Sequence, residues 1–230
     1  ETSSTHLLDQ DDVDNYIRVY VSYTDQDSTA ETHTAMLSTT TSNANDANTA
    51  VPTISGTETE DQTLTVDGSP LTGNDEDGMT SASFTYQWQR CTSATVSTCS
   101  AISGATSSTY DLDDDDAAKF IRAAVMYTDD YSTAETVYSA VTGAITNVND
   151  APSAGADQTG AVTEDASATT ATGTVASSDV DPSDTLSYAI GTAAGTYGTL
   201  TMSGAGWTYT IDNSAAATTA LDAGDTPTDA

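Results

Sequence analysis

The sequence predicts an all-β fold, a linear array of β-sandwich domains, and three observations predict it. Apolar residues alternate with Thr and Ser in short runs, whole blocks of sequence return at one fixed spacing, and no run carries a helical stripe. The first alternating run is Tyr16 to Tyr23, where Ile17, Val19, Val21 and Tyr23 share one face and Arg18, Tyr20 and Ser22 the other. Ser83 to Gln89 sets Phe84, Tyr86 and Trp88 against Thr85, Gln87 and Gln89. Ile121, Ala123, Val125 and Tyr127 repeat the inward set of the first run. Near the end, Trp207, Tyr209 and Ile211 alternate with Thr208 and Thr210 after a Ser203-Gly204-Ala205-Gly206 turn. Period-two alternation bounded by Gly, Ser, Asn and Asp is the pattern of half-buried strands and their turns.

The repeat organises the chain. Ser3-Ser4-Thr5 returns as Ser107-Ser108-Thr109, Ile17-Arg18 as Ile121-Arg122, and Tyr23-Thr24-Asp25 as Tyr127-Thr128-Asp129. The block Ser28 to Thr32 is repeated intact at Ser132 to Thr136, and Asn43-x-Asn45-Asp46-Ala47 as Asn147-x-Asn149-Asp150-Ala151. Every pair lies 104 positions apart with no gap. The last third keeps the spacing more faintly: Glu60-Asp61 becomes Glu164-Asp165, Asp75-x-Asp77 becomes Asp179-x-Asp181, and Phe84 falls on Tyr188. A period near a hundred residues is the size of one immunoglobulin-like sandwich and far too long for a solenoid repeat. The expected organisation is the rear half of one domain over residues 1–46, a complete domain over 47–150, and a third over 151–230 that lacks its last strand.

Composition narrows function. Against 35 Asp and Glu stand only 4 Lys and Arg, a formal net charge of -31. Such a chain will not bind nucleic acid, whose affinity comes from cations meeting phosphates, nor settle on an anionic membrane surface. Its expected partners are cations, above all calcium, which takes carboxylate and carbonyl oxygens. High charge with 37% hydrophobic residues would suit disorder, but the alternating runs argue for packed strands. A halophilic or marine solubility role for the acidity is compatible with calcium binding. No stretch is apolar and long enough to span a membrane. Glu1 opens directly into strand-like sequence, as in a mature or excised segment. Cys91 and Cys99 flank a polar insert, a spacing that suits a disulfide closing a hairpin in an oxidising compartment; the alternative is two free thiols.

The segments Tyr86 to Arg90, Ile102 to Thr106, Ile121-Arg122 with Tyr127-Thr128-Asp129, and Asn147 to Pro152 resemble the tandem immunoglobulin-like or cadherin-like repeats of giant bacterial surface adhesins. The last third resembles their VCBS-type repeat, through Asp179-x-Asp181, Asp184 to Ile190, Gly195 to Thr201, Trp207 to Asn213 and Ala220 to Asp225. The resemblance implies a secreted or cell-surface location and calcium-stiffened rods carrying adhesion to a distant tip. Departures are the Ala117-Ala118 pair in place of a Val-Gly turn and a first linker, Asn45 to Asn48, without the Pro that follows Ala151. Cadherin-like junctions hold calcium with a Glu of one domain, a polar linker and a D-x-D loop of the next. By that resemblance the second junction would use Glu60, Asp61, Asn147, Asn149, Asp150, Asp179 and Asp181, with Asp129 and Asp130 adding ligands. The first would use Asp25, Asn45, Asp46, Asp75 and Asp77. The plain alternative is that these residues cap turns and face water. For the run Asp113 to Asp116 that alternative is the better one, with Asp116 fixing the turn.

Catalysis is not expected. Carboxylate pairs are inevitable among 35 acids, the two His residues have Tyr110 and Val137 as their repeat counterparts, and no nucleophile elbow, phosphate loop or zinc motif is present. Trp88 and Trp207 could stack on sugars, but a lone Trp on an alternating strand is more often core. The expected function is a structural repeat of an extracellular stalk or fibre, whose partners are neighbouring repeats. One alternative is a glycan- or cell-binding module working through exposed loops such as Cys91 to Cys99. Another is a filament subunit whose copies join head to tail by strand donation.

Overall fold

The structure is a computed structural model that describes residues 4–181 and 184–229; Ser3, in the first repeated block, lies outside them. The chain divides into two compact units, Glu1–Val148 and Asn149–Ala230. The protein is all-β, and its only helical elements among the described residues are single 3-10 turns.

The first unit begins with an antiparallel hairpin, β1 (Arg18–Thr24) and β2 (Ala30–Met36). It continues with β3 (Thr53–Ser55), β4 (Thr63–Asp67), β5 (Thr85–Cys91), β6 (Cys99–Ala101), β7 (Thr109–Asp111), β8 (Phe120–Thr128) and β9 (Ala134–Tyr138). These form a three-stranded sheet ordered β3-β4-β7 and a four-stranded sheet ordered β6-β5-β8-β9, all antiparallel. Their inner faces interdigitate: Leu64 and Val66 of β4 meet Trp88 of β5 and Ile121, Ala123, Val125 and Tyr127 of β8. This is an immunoglobulin-like sandwich, and the inward set is the one that the alternation predicts. Trp88 is fully buried, stacks on Tyr110 at 5.7 Å between ring centroids, and donates its indole N–H to the Ser107 carbonyl at 2.9 Å. Cys91 and Cys99 are disulfide-bonded directly across β5 and β6.

The hairpin β1–β2 contrasts with its repeat counterpart. Val19, Val21 and Tyr23 are 53%, 54% and 58% exposed, whereas Ala123, Val125 and Tyr127, 104 positions on, are at most 4% exposed. The difference is cover: β5 runs along one edge of β8 and β4 lies over its face, while β1 has β2 as its only ladder partner among the described residues.

The second unit contains β10 (Ser153–Ala154), β11 (Thr170–Thr174), β12 (Ser177–Ser178), β13 (Gly198–Ser203) and β14 (Gly206–Ile211). The β13–β14 hairpin forms over the predicted turn, and the sheet is ordered β11-β14-β13. Trp207 is core here too, pressed so closely on Gly173 that a Cβ there would lie 2.6 Å from the indole.

Backbone geometry repeats as faithfully as sequence. Among the described residues six non-glycine residues have positive φ, and they form three pairs at the 104 spacing: Asp14 and Ala118, Ser28 and Ser132, Asp61 and Asp165. The acidic turn recurs three times. Asp9 and Asp12, Asp113 and Asp116, and Asp222 and Asp225 each place the first residue's N–H on the last one's carboxylate, at 3.2, 3.0 and 2.9 Å.

Candidate metal-binding site

The sandwich of the first unit has two ends, set by the direction of β8, whose nine residues span about 30 Å. At the end where the linker Asn45 to Asn48 arrives, two loops are tied together. The Asp130 N–H donates to the Gly78 carbonyl at 3.1 Å, and the Thr80 N–H and hydroxyl reach the Asp130 carboxylate at 3.0–3.1 Å. Gly78 is required here, with φ +80° and Asp130 Oδ2 2.6 Å from where a Cβ would stand.

Three buried carboxylates occupy these loops: Asp75, Asp77 and Asp129, each no more than 6% exposed. Each spends oxygen on local structure. Asp75 Oδ1 accepts the Asp77 N–H at 3.0 Å and its Oδ2 accepts the Tyr127 hydroxyl at 2.5 Å. Burial, and then this bond, push the Tyr127 phenol well above its usual range. Asp77 Oδ2 accepts the linker N–H of Asp46 at 2.7 Å, and Asp129 Oδ1 accepts the Thr133 N–H at 2.8 Å. The remaining oxygens, Asp77 Oδ1 and Asp129 Oδ2, are buried with no hydrogen-bond partner. An unmatched buried acceptor costs about 1–3 kcal/mol, and more when charged, a cost that a cation bound within reach of both oxygens would offset. The chemistry suits a hard ion taking oxygen ligands.

The second unit repeats the frame. Asp181 Oδ2 accepts the Asp150 N–H at 2.7 Å, and Asp179 Oδ1 accepts the Asp181 N–H at 3.1 Å. Asp179, Asp181 and Asp184 each bring a carboxylate oxygen within 4.8 Å of the others. Asn149 donates to the Asp150 carbonyl at 2.8 Å. This second cluster of acidic residues could hold a metal ion.

The remaining sequence candidates are placed as follows. Asn45 and Asp46 stand at the linker end with Asp75 and Asp77, and Asn45 donates to Glu135 at 2.8 Å. Glu60, 1% exposed, lies at the other end, where its Oε2 accepts the Val148 N–H at 2.8 Å; Asn147 donates to the Val148 carbonyl at 3.1 Å. Asp61 is an exposed turn residue with φ 61°. Two groupings need correction. Asp129 and Asp130, grouped by sequence with Glu60 and Asn147, lie at the far end of β8 beside Asp75 and Asp77, because β8 carries the chain away from Glu60. Asp25, grouped with Asp46, caps its own hairpin turn through the Asp27 and Thr29 N–H groups. That turn is at the end of β1 away from Asp14 and Thr41, where the chain leaves for the linker.

Sequence reasoning missed Tyr127, Glu135 and Asp184. The repeat hides Asp184, whose counterpart is Thr80, and a tyrosine in a core alternation carries no sign that its hydroxyl holds a loop aspartate. Asp116 fixes the turn as expected, accepting the Asp113 N–H at 3.0 Å, but it does so fully buried, taking Arg90 Nε at 2.6 Å and the Tyr110 hydroxyl at 2.7 Å.

Among the described residues, no helix is long and apolar enough to cross a membrane. No curated protein matches the chain. Residues 149–226, about a third of the chain and nearly all of the second unit, match the family described as Bacterial Ig domain, and this segment is similar to that family.

Proposed function

We propose that the chain is a structural repeat segment of a bacterial adhesin stalk or fibre, secreted or cell-surface, with calcium stiffening the end of each sandwich where its linker arrives. Within the immunoglobulin-like class, the last third takes the VCBS-type form. The observation that carries the calcium reading is the pair of buried, unpartnered oxygens Asp77 Oδ1 and Asp129 Oδ2, beside a linker already held by the Asp46 N–H. A divalent cation supplies the positive charge these carboxylates lack. Asp75, Asp77 and Asp129 would hold it, and Asp46 and Asn45 would be fixed with it. In the second unit Asp179, Asp181 and Asp184 play that part. Ordering the linker at both places turns a flexible joint into a stiff one.

Calorimetric titration with calcium and thermal melts with and without EDTA test this. At a hundredfold excess over Kd, calcium should add about 2.7 kcal/mol per site, and sodium or magnesium should not replace it. Asp77→Asn should lose the gain at the first site yet melt no lower than the parent in EDTA, since it removes an unmatched buried charge. Melts indifferent to both calcium and EDTA would sink the calcium reading.

A further inference from the structure

In the first unit the linker and the acidic loop are joined by a closed circuit of hydrogen bonds. The Asp46 N–H donates to Asp77 Oδ2 at 2.7 Å, and the Asp77 N–H in turn reaches Asp75 Oδ1 at 3.0 Å. Asp75 Oδ2 takes the Tyr127 hydroxyl at 2.5 Å, and that hydroxyl oxygen accepts from Asn48 Nδ2 at 3.1 Å. Asn48 is two residues past Asp46, so the circuit closes through the linker itself. The Asn48 amide is held from both sides: Nδ2 also donates to the Leu71 carbonyl at 2.9 Å, and Oδ1 accepts the Ala50 N–H at 2.9 Å. Tyr127 is the member that comes from the core. It is 4% exposed and packs edge-on against Phe84 at 6.1 Å, so its hydroxyl stands at a fixed point. Of the two unpartnered oxygens, one belongs to Asp77, a member of the circuit, and the other to Asp129, two residues past Tyr127.

We infer that Asn48 and Tyr127, neither of which supplies a carboxylate, gate the cation site of the first unit: a seated linker raises its affinity, and lifting the linker releases the ion. The gate rests on the calcium reading and adds its regulation. With Asn48 seated, Tyr127 holds Asp75, Asp75 holds the Asp77 backbone, and Asp77 is presented to the ion already ordered. Carboxylates that the ion must first order bind it more weakly than carboxylates held in place. Bonds in a circuit also polarise one another, so losing one member weakens the rest. The coupling is reciprocal: the factor by which a seated linker raises ion affinity is the factor by which the ion favours the seated linker. The second unit has half of the arrangement. Asp150 donates to Asp181 as Asp46 does to Asp77, but Pro152 stands at the counterpart of Asn48 and has no side-chain donor. Its ring fixes φ without a hydrogen bond, so that segment is stiff by itself and its site is not gated in this way. Tension is the natural signal for the first site, since a pull on the linker acts directly on Asp46 and Asn48.

Calorimetric titration of calcium into the whole chain, with hydrogen exchange at the Asp46 N–H, tests the gate. The first site is the binding event that Asp77→Asn abolishes. Asn48→Ala and Tyr127→Phe, the second of which keeps the ring in the core, should each weaken that event by about tenfold and leave the second unit's event unchanged. The double variant should bind about as either single one does, because both break the same circuit. In the parent, calcium should slow exchange at Asp46 by a like factor, and in Asn48→Ala most of that slowing should vanish, although neither substitution removes the Asp46 bond itself. Variants that melt lower in EDTA yet bind calcium as the parent does would overturn the gate and leave the calcium reading intact. Equal weakening of both events, or a double variant weaker by the product of the two single effects, would also count against it. A parent with no first-site binding would overturn the calcium reading and the gate together.

Discussion

Ala118 holds a left-handed backbone, φ 58°, in a turn whose N–H reaches the Ile145 carbonyl and whose neighbour Lys119 bonds back to Asp116. An L-residue with a Cβ is strained there by about 1–2 kcal/mol, while glycine is not, at some cost in unfolded-chain entropy. Ala118→Gly should therefore raise the stability of the first unit's sandwich by about 0.5–1 kcal/mol, measured by urea melts. Asp14, its counterpart, tolerates the same conformation more readily as an aspartate. In the second unit, burial and a 2.7 Å hydrogen bond to Asp229 push the Tyr209 hydroxyl up to about 12. Burial pushes Asp229 up, but the bonds from Tyr209, Tyr197 and Thr196 outweigh it and hold the carboxylate below its usual value. The linkage has a definite sign. Below pH ~10 neither state ionises this tyrosine; between there and about 12 the unfolded chain loses the proton first, so stability falls as pH rises. Urea melts near pH ~11 should show this loss for the parent, and Tyr209→Phe should flatten it.

Among elements, the tie between the two sheets of the sandwich is ionic as well as apolar. Arg90 on β5 reaches Asp116 at 2.6 Å, Asp113 at 2.9 Å and Asp115 at 3.4 Å, while Tyr110 on β7 binds the other oxygen of Asp116 at 2.7 Å. Asp113 and Asp115 are mostly exposed and contribute little; Asp116 is fully buried and depends on Arg90. Arg90→Met should cost about 3 kcal/mol in urea melts by leaving that charge unmatched, and Arg90→Met with Asp116→Leu should recover much of it. In the first copy of this turn His6 stands where Tyr110 does, 2.7 Å from Asp12. The strands themselves were legible because their alternation decides which face is buried: Ile121 to Tyr127 is an example in which pattern and burial agree. Exposure of β1 was not legible in that pattern, since Val19 and Val125 read alike and only the presence of β4 and β5 separates them. The site was partly legible. The D-x-D and Asn-Asp blocks mark it, yet which end of the strand each acid reaches depends on how many rungs the chain climbs before turning, and the junction sets implied by the resemblance grouped Asp25 and Asp129 with acids at the other end.

For the molecule as a whole, a net charge of -31 sets the terms of association. Like-charged sandwiches repel at low ionic strength and approach only where cations or screening intervene. Salt and divalent ions both act on this repulsion, which is why the calcium measurement requires a sodium control. The two units share one construction, in which the N–H of a linker aspartate, Asp46 or Asp150, is clamped by the second aspartate of the following D-x-D. The complete sandwich has a further property from the way the chain passes through it. The linker arrives at the Asp77 end and the chain departs at the Glu60 end, so its points of attachment lie at opposite tips of β8. A pull on the polypeptide is then directed along the strands. The load reaches the parallel contact between residues 58–60 and 146–148, where the Glu60 N–H meets the Thr146 carbonyl at 3.0 Å and the Thr146 N–H meets the Glu58 carbonyl at 2.9 Å, so these bonds are loaded together in shear, not peeled one at a time. Resistance to force of that kind is a matter of unfolding rate, not equilibrium stability. It can be high even in a domain of ordinary melting temperature.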